Sequence, residues 1–175
     1  MENLQLKDIR VFVCVPGVGK TTLCEKDDRF VDMDMIKARY KYALENCSKK
    51  DIENLKGHYG NAVRKDVNKH LENLTLNLLQ TTNKILLFAP NPDMVNMLYE
   101  KKIPYCLVFH SLKCVEEYKT RMKNRGNQDD YIETMLGENV IYDFYKNSTN
   151  DTRPTFKIEL GPHQYLSDVL LDIFK

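Results

Sequence analysis

Five short apolar runs punctuate the chain, at 9–15, 30–33, 84–89, 104–109 and 155–160, and polar stretches separate them. Several are nearly continuous in Val, Ile, Leu and Phe rather than alternating with polar residues. That pattern belongs to strands buried on both faces of a parallel sheet. Helices are predicted between them at 21–26, 35–45, about 51–81, 92–101, 115–124, 128–136, 140–146 and 164–174. Pro92-Asp93 makes a favourable helix opening, because Pro suits the first turn and Asp complements the helix dipole. The Asn/Ser/Thr/Asp-rich segment 147–154 reads as a loop. Alternation of strand and helix then gives a doubly wound α/β domain.

At 175 residues the chain can build one such domain, 1–175, and is too short for two ordinary ones. Hydrophobic residues at 42% against 29% charged place it among globular rather than disordered proteins. The 26 Lys+Arg and 25 Asp+Glu leave a net charge of +1, so no global field favours nucleic acid. No apolar stretch approaches the ~18–20 residues of a membrane span, and the first residues lack a signal-peptide pattern. A cytoplasmic protein, monomeric or homodimeric, is expected. Five scattered cysteines without a CxxC pair argue against both a disulfide framework and a zinc site.

The most informative chemistry follows the first run. Val11-Phe-Val-Cys-Val-Pro16-Gly17-Val18-Gly19-Lys20-Thr21-Thr22 reads as a strand, a glycine turn and a helix start. Such a loop turns successive backbone N–H groups onto phosphate oxygens, with the helix dipole behind them. Lys20 is placed to reach the β- and γ-phosphates of a nucleoside triphosphate, and Thr21 to ligate Mg²⁺. Aligned on Gly19-Lys20-Thr21, the pattern G-x-x-x-x-G-K-[ST] puts Cys14 at its first glycine. Cys14 is read as a small buried thiol at the strand end, with oxidant sensing the alternative.

A second signal is Phe30-Val-Asp32-Met-Asp34 at the end of the second strand. Residues two apart on a strand share a face, so Asp32 and Asp34 can jointly meet Mg²⁺ or an acceptor hydroxyl. The third run ends in Pro90-Asn91-Pro92, without the acid that usually supports the metal in motor-type and switch-type NTPases. Asp34 is also placed to cap a helix beginning near Met35. The third signal is Arg121 and Arg125, whose i,i+4 spacing puts both guanidinium groups on one helical face before Gly126. Such a pair can brace a phosphoryl group in transfer, or form part of a solvated charged face.

The phosphate loop, the D-x-D and the series Ile103-Pro-Tyr-Cys-Leu-Val-Phe-His110, Glu116-Glu-Tyr, Arg121-x-x-x-Arg125-Gly-Asn127 and Tyr131-Ile132 together resemble the small adenylate-kinase-like nucleotide kinases, in the compact form common in phage and low-GC bacterial genomes. The resemblance implies a three-layer P-loop NTPase fold with a five-stranded parallel sheet in the order 2-3-1-4-5. It also implies an acceptor-binding helical insertion at about 35–82 and a lid at about 113–146. It implies transfer of the γ-phosphoryl of ATP, with Mg²⁺, to a (deoxy)nucleoside monophosphate. Residue by residue, it carries ATP binding onto Pro16, Gly17, Val18, Gly19, Lys20, Thr21 and Thr22, and metal binding onto Thr21 and Asp32. Catalysis falls on Lys20, Asp32, Asp34, Arg121 and Arg125, and acceptor binding on Asp34, Arg39 and Arg64. Arg153 is a candidate to stack on the donor base. Kinases of small hydroxyl acceptors also carry a D-x-D here, which leaves a nucleoside, a polynucleotide 5′ end or another hydroxyl compound as alternative acceptors. A module that binds ATP without transferring phosphate is the further alternative.

Overall fold

A computed structural model describes residues 4–35 and 66–175. Its sheet holds five strands, β1 (Val11–Cys14), β2 (Phe30–Asp32), β3 (Ile85–Phe88), β4 (Cys106–His110) and β5 (Phe156–Leu160), all parallel in the order β2-β3-β1-β4-β5. This is the P-loop NTPase arrangement expected from the sequence. β1 lies at the centre, with Val13 opposite Phe88 on one side and Leu107 on the other. Every residue of β1, β3 and β4 is buried, which is why these runs lack polar alternation. The edge strand β5 instead buries alternate residues less completely, exposing Lys157 and Glu159.

The helices are α1 (Lys20–Lys26), α2 (Val67–Thr81), α3 (Pro92–Glu100), α4 (Val115–Asn124), α5 (Asp129–Leu136), α6 (Glu138–Asn150) and α7 (Leu166–Ile173). Parallel strands need right-handed crossovers, so this strand order puts α1 on one face and α2, α3 and α6 on the other. Contact between α1 and α7 places the last helix on the α1 face. There Phe174 meets Phe12 and Phe30 edge to face, with ring centroids 5.9 and 6.1 Å apart. On the opposite side Arg10 donates to the carbonyls of Leu78, Leu79, Thr82 and Lys84. It thereby satisfies the open C-terminus of α2 and ties that helix to β3. α3 begins as its sequence predicts: Asn91 Oδ1 accepts from the backbone N–H groups of Asp93 and Met94, with Pro92 in the first turn.

The structure departs from the sequence reading at 147–154. α6 runs on to Asn150, so Asn147, Ser148, Thr149 and Asn150 are helical rather than loop. Their side chains favour turns in isolation, but α6 lies along β4, and carrying the helix on buries Ser148 in that packing. Tertiary burial here outweighs a weak local preference. The predicted helix at 35–45 and the first part of that at 51–81 lie outside the described residues, and with them most of the expected insertion.

Candidate active site

β1 ends in the centre of the sheet and delivers the loop 15–19 to its carboxyl edge, where α/β proteins place their ligands. Gly17 and Gly19 have φ of +84° and +94°, conformations that side-chain-bearing residues rarely adopt. Gly17 also faces a wall, since a Cβ there would stand 3.2 Å from Tyr118 Cδ1. The loop is closed from behind by Leu166, whose backbone N–H donates to the Val18 carbonyl at 2.9 Å. Val18 is buried, whereas Pro16, Gly17, Gly19, Lys20 and Thr21 are partly accessible and Thr22 is exposed.

Lys20 and the two aspartates converge as their spacing suggests. The Lys20 amine donates to the Cys14 carbonyl at 3.2 Å and stands 3.7 Å from Asp34 Oδ2. Thr21 Oγ1 donates to Asp32 Oδ2 at 2.7 Å, and the other carboxylate oxygen of Asp32 accepts from the Asp34 backbone N–H at 3.1 Å. Asp34 itself sits in a short 3-10 turn, Met33–Met35. The hydroxyl–carboxylate pair of Thr21 and Asp32 is a hard-oxygen donor set suited to Mg²⁺. That ion takes one or two protein oxygens and completes its shell with phosphate oxygens and water. Among the described residues no cluster of three or more His, Cys, Asp and Glu is placed to hold a metal ion.

The two arginines of α4 have different surroundings. Arg121 is clamped: its guanidinium carbon lies 3.8 Å from the Tyr165 ring centroid and 4.6 Å from that of Tyr118. It also pairs with Glu117 and donates to the Gln164 carbonyl at 3.1 Å. Glu117 accepts from the His163 backbone N–H as well, and that bond with Arg121 holds its carboxyl below the usual range. Arg125 caps the end of α4, exposed and without a side-chain partner among the described residues. The segment 113–146 expected as a lid is built of α4, α5 and most of α6. Arg39 and Arg64 lie outside the described residues.

Arg153 requires a correction. It precedes β5, at the amino ends of the strands, while the phosphate loop follows the carboxyl end of β1. Its guanidinium is held by Asp151 and by Asn96 of α3, on the face away from α1, so it takes no part in the phosphate-loop cluster. The expected contact with a donor base at the loop is therefore withdrawn.

Three neighbours of the loop escaped the sequence reading as functional residues. His110, at the end of β4, stacks on Tyr118 with ring centroids 3.3 Å apart, and neither ring nitrogen completes a hydrogen bond. Burial lowers its pKa to about 3, opposed in part by the Pro16 backbone, with smaller lowering contributions from Arg121 and Lys20. Tyr118 was detectable in principle, three residues before Arg121 on the same helical face. Tyr165 had no local signal, because only the fold brings the turn after β5 to α4.

Cys14 is fully buried, and loss of hydration pushes its thiol far up from the ordinary value. It should therefore resist a thiol reagent in the native protein and react only on unfolding. Mass-spectrometric labelling with and without denaturant checks this, and rapid native modification of Cys14 would restore the sensing alternative.

No protein-family profile matches the sequence, and no curated protein sequence does. Among solved structures, a shikimate kinase from Bacteroides thetaiotaomicron is similar at TM-score 0.51 and 16% identity, over 86% of each chain. An uncharacterized protein from Eubacterium ventriosum aligns at TM-score 0.47 and 12% identity, over 94% of this chain and 96% of that one. At such identities the likeness is one of fold.

Proposed function

We propose that this chain is an ATP-dependent phosphotransferase that moves the γ-phosphoryl group to a (deoxy)nucleoside monophosphate. The convergence of Lys20, Thr21, Asp32 and Asp34 on one positive-φ glycine loop carries this reading. Backbone N–H groups of the loop receive the triphosphate, and Lys20 moves from the Cys14 carbonyl to neutralise its β- and γ-oxygens. Thr21 and Asp32 would hold Mg²⁺, which would supply positive charge to the bound phosphates. Arg125, exposed and unpaired among the described residues, is the arginine free to reach the phosphoryl in flight. Arg121 is already occupied by Glu117 and two tyrosines, and positions the turn after β5 against the loop. Arg39 and Arg64 are proposed to hold the acceptor.

A second acceptor class has one observation in its favour. Asp34 stands 3.7 Å from the Lys20 amine, close to where the phosphoryl group would travel, and can orient or deprotonate an attacking hydroxyl. A panel of nucleoside monophosphates, nucleosides, a polynucleotide 5′ end and small hydroxyl acids with radiolabelled ATP separates the two. Transfer to monophosphates that survives Asp34→Asn but not Arg39→Ala is the expected result. The opposite sensitivity would assign a hydroxyl acceptor, and no transfer to any acceptor would leave an ATP-binding module.

A further inference from the structure

An open groove of about 660 Å³ runs between α3 and α6 along the sheet face opposite α1. Its floor is Val13 and Leu107, register neighbours in β1 and β4, and its walls include Val95 of α3 and Phe144 of α6. Such a volume falls in the range of small-molecule sites, which pair apolar walls with a few polar groups.

The polar groups here are incompletely used. Tyr105 is 1% exposed, yet its phenol oxygen has no hydrogen-bond partner. Ser148, 5% exposed on the facing side of α6, likewise makes no side-chain hydrogen bond among the described residues. A buried hydroxyl left unpaired costs about 1–3 kcal/mol, so the Tyr105 phenol is a group awaiting a partner, and Ser148 adds a further hydroxyl to the lining. Burial also raises the Tyr105 phenol to about 12, which keeps it a proton donor. Asn147 and Asn150 add free amide groups on the groove side of α6.

Charge narrows the ligand. Among the described residues the ionised side chains lining the groove are Asp151 and Arg153, and these neutralise each other through two contacts of 2.9 Å. Among those residues a phosphate or carboxylate would find no uncompensated cation. The groove runs along the strands, from Pro90, Asn91 and Pro92 after the carboxyl end of β3 to Tyr105, Asp151 and Arg153 at the amino ends of β4 and β5. No residue from 14 to 34 lines the groove.

We propose that the groove between α3 and α6 is a second ligand site, which takes an uncharged, flat nitrogen heterocycle of nucleoside size. The ring lies against the apolar floor and Phe144, and its donor and acceptor edge meets Tyr105, Ser148 and the two asparagine amides. The site does not depend on which acceptor the phosphate loop serves.

Calorimetric titration of the full chain with free nucleosides and nucleobases tests this. Saturable binding of at least one compound is expected. Tyr105→Phe, which only removes an unpaired hydroxyl, should weaken it about five- to tenfold. Asn147→Trp, an exposed change at the mouth, should abolish it, while Asp34→Asn leaves it unchanged. Circular dichroism checks that each variant is folded. Absence of saturable heat with every compound overturns the proposal. So does binding that ignores both groove variants or is lost in Asp34→Asn, since the ligand would then occupy the phosphate-loop site. Phosphate transfer assayed separately keeps either failure distinct from failure of the kinase reading.

Discussion

Replacing Lys20 with alanine should lower phosphoryl transfer about 10²–10³-fold, roughly 3–4 kcal/mol of transition-state stabilisation, as for other preorganised charge-stabilising groups. The fold should survive. The amine makes a 3.2 Å bond to the Cys14 carbonyl and a 3.7 Å approach to Asp34, and its side chain fills no part of the buried core. Steady-state kinetics with ATP and the best acceptor gives the loss, and thermal melting shows whether structure is kept. A variant with undiminished turnover would mean that the loop does not hold the donor. An unfolded variant would mean that the Lys20–Asp34 approach is structural.

The largest expected effect on stability is a response to acid that belongs to His110. Its ordinary pKa of 6.5 falls to about 3 in the folded protein, because the ring is buried against Tyr118 and faces the positive charges of Arg121 and Lys20. Between those two values the unfolded chain binds a proton that the folded chain does not. Stability from this group is therefore complete above pH 6.5. It falls by roughly 1.4 kcal/mol per pH unit as pH drops toward 3. Carboxylates titrate in the same range, so the informative quantity is a difference. Urea unfolding of the native chain and of His110→Phe, from pH 7 to 4.5, should give curves that diverge with this slope. Parallel curves would show that His110 protonates freely in the folded state. The consequence reaches the site, because His110 backs Tyr118 and Tyr118 backs Gly17.

How much was legible depended on how local each feature is. β1, the loop and α1 follow one another without interruption, so strand, glycines, Lys20 and Thr21 could be read from consecutive residues. Asp32 and Asp34 lie at the end of the next strand, and parallel pairing alone returns that edge to the same side. Strand order followed from resemblance, and right-handed crossovers make it a narrow choice.

The arginines show where sequence reasoning stopped. Spacing put Arg121 and Arg125 on one helical face as equals, yet one is held by groups up to 43 residues away and the other caps the helix. Arg153 suited a loop beside a nucleotide until topology set it at the opposite strand edge. The helical 147–150 segment was hidden because turn-forming side chains say nothing of the sheet against which they pack.

The sequence by itself determined the class of fold and the makeup of the loop after β1, since both rest on short-range patterns: buried strands, a glycine turn, a lysine and hydroxyl next in line. The tertiary structure alone decided which arginine is engaged, what lies behind the loop and where the groove opens. Those depend on burial and on contacts between distant segments, and no local pattern encodes the neighbours that a side chain will meet.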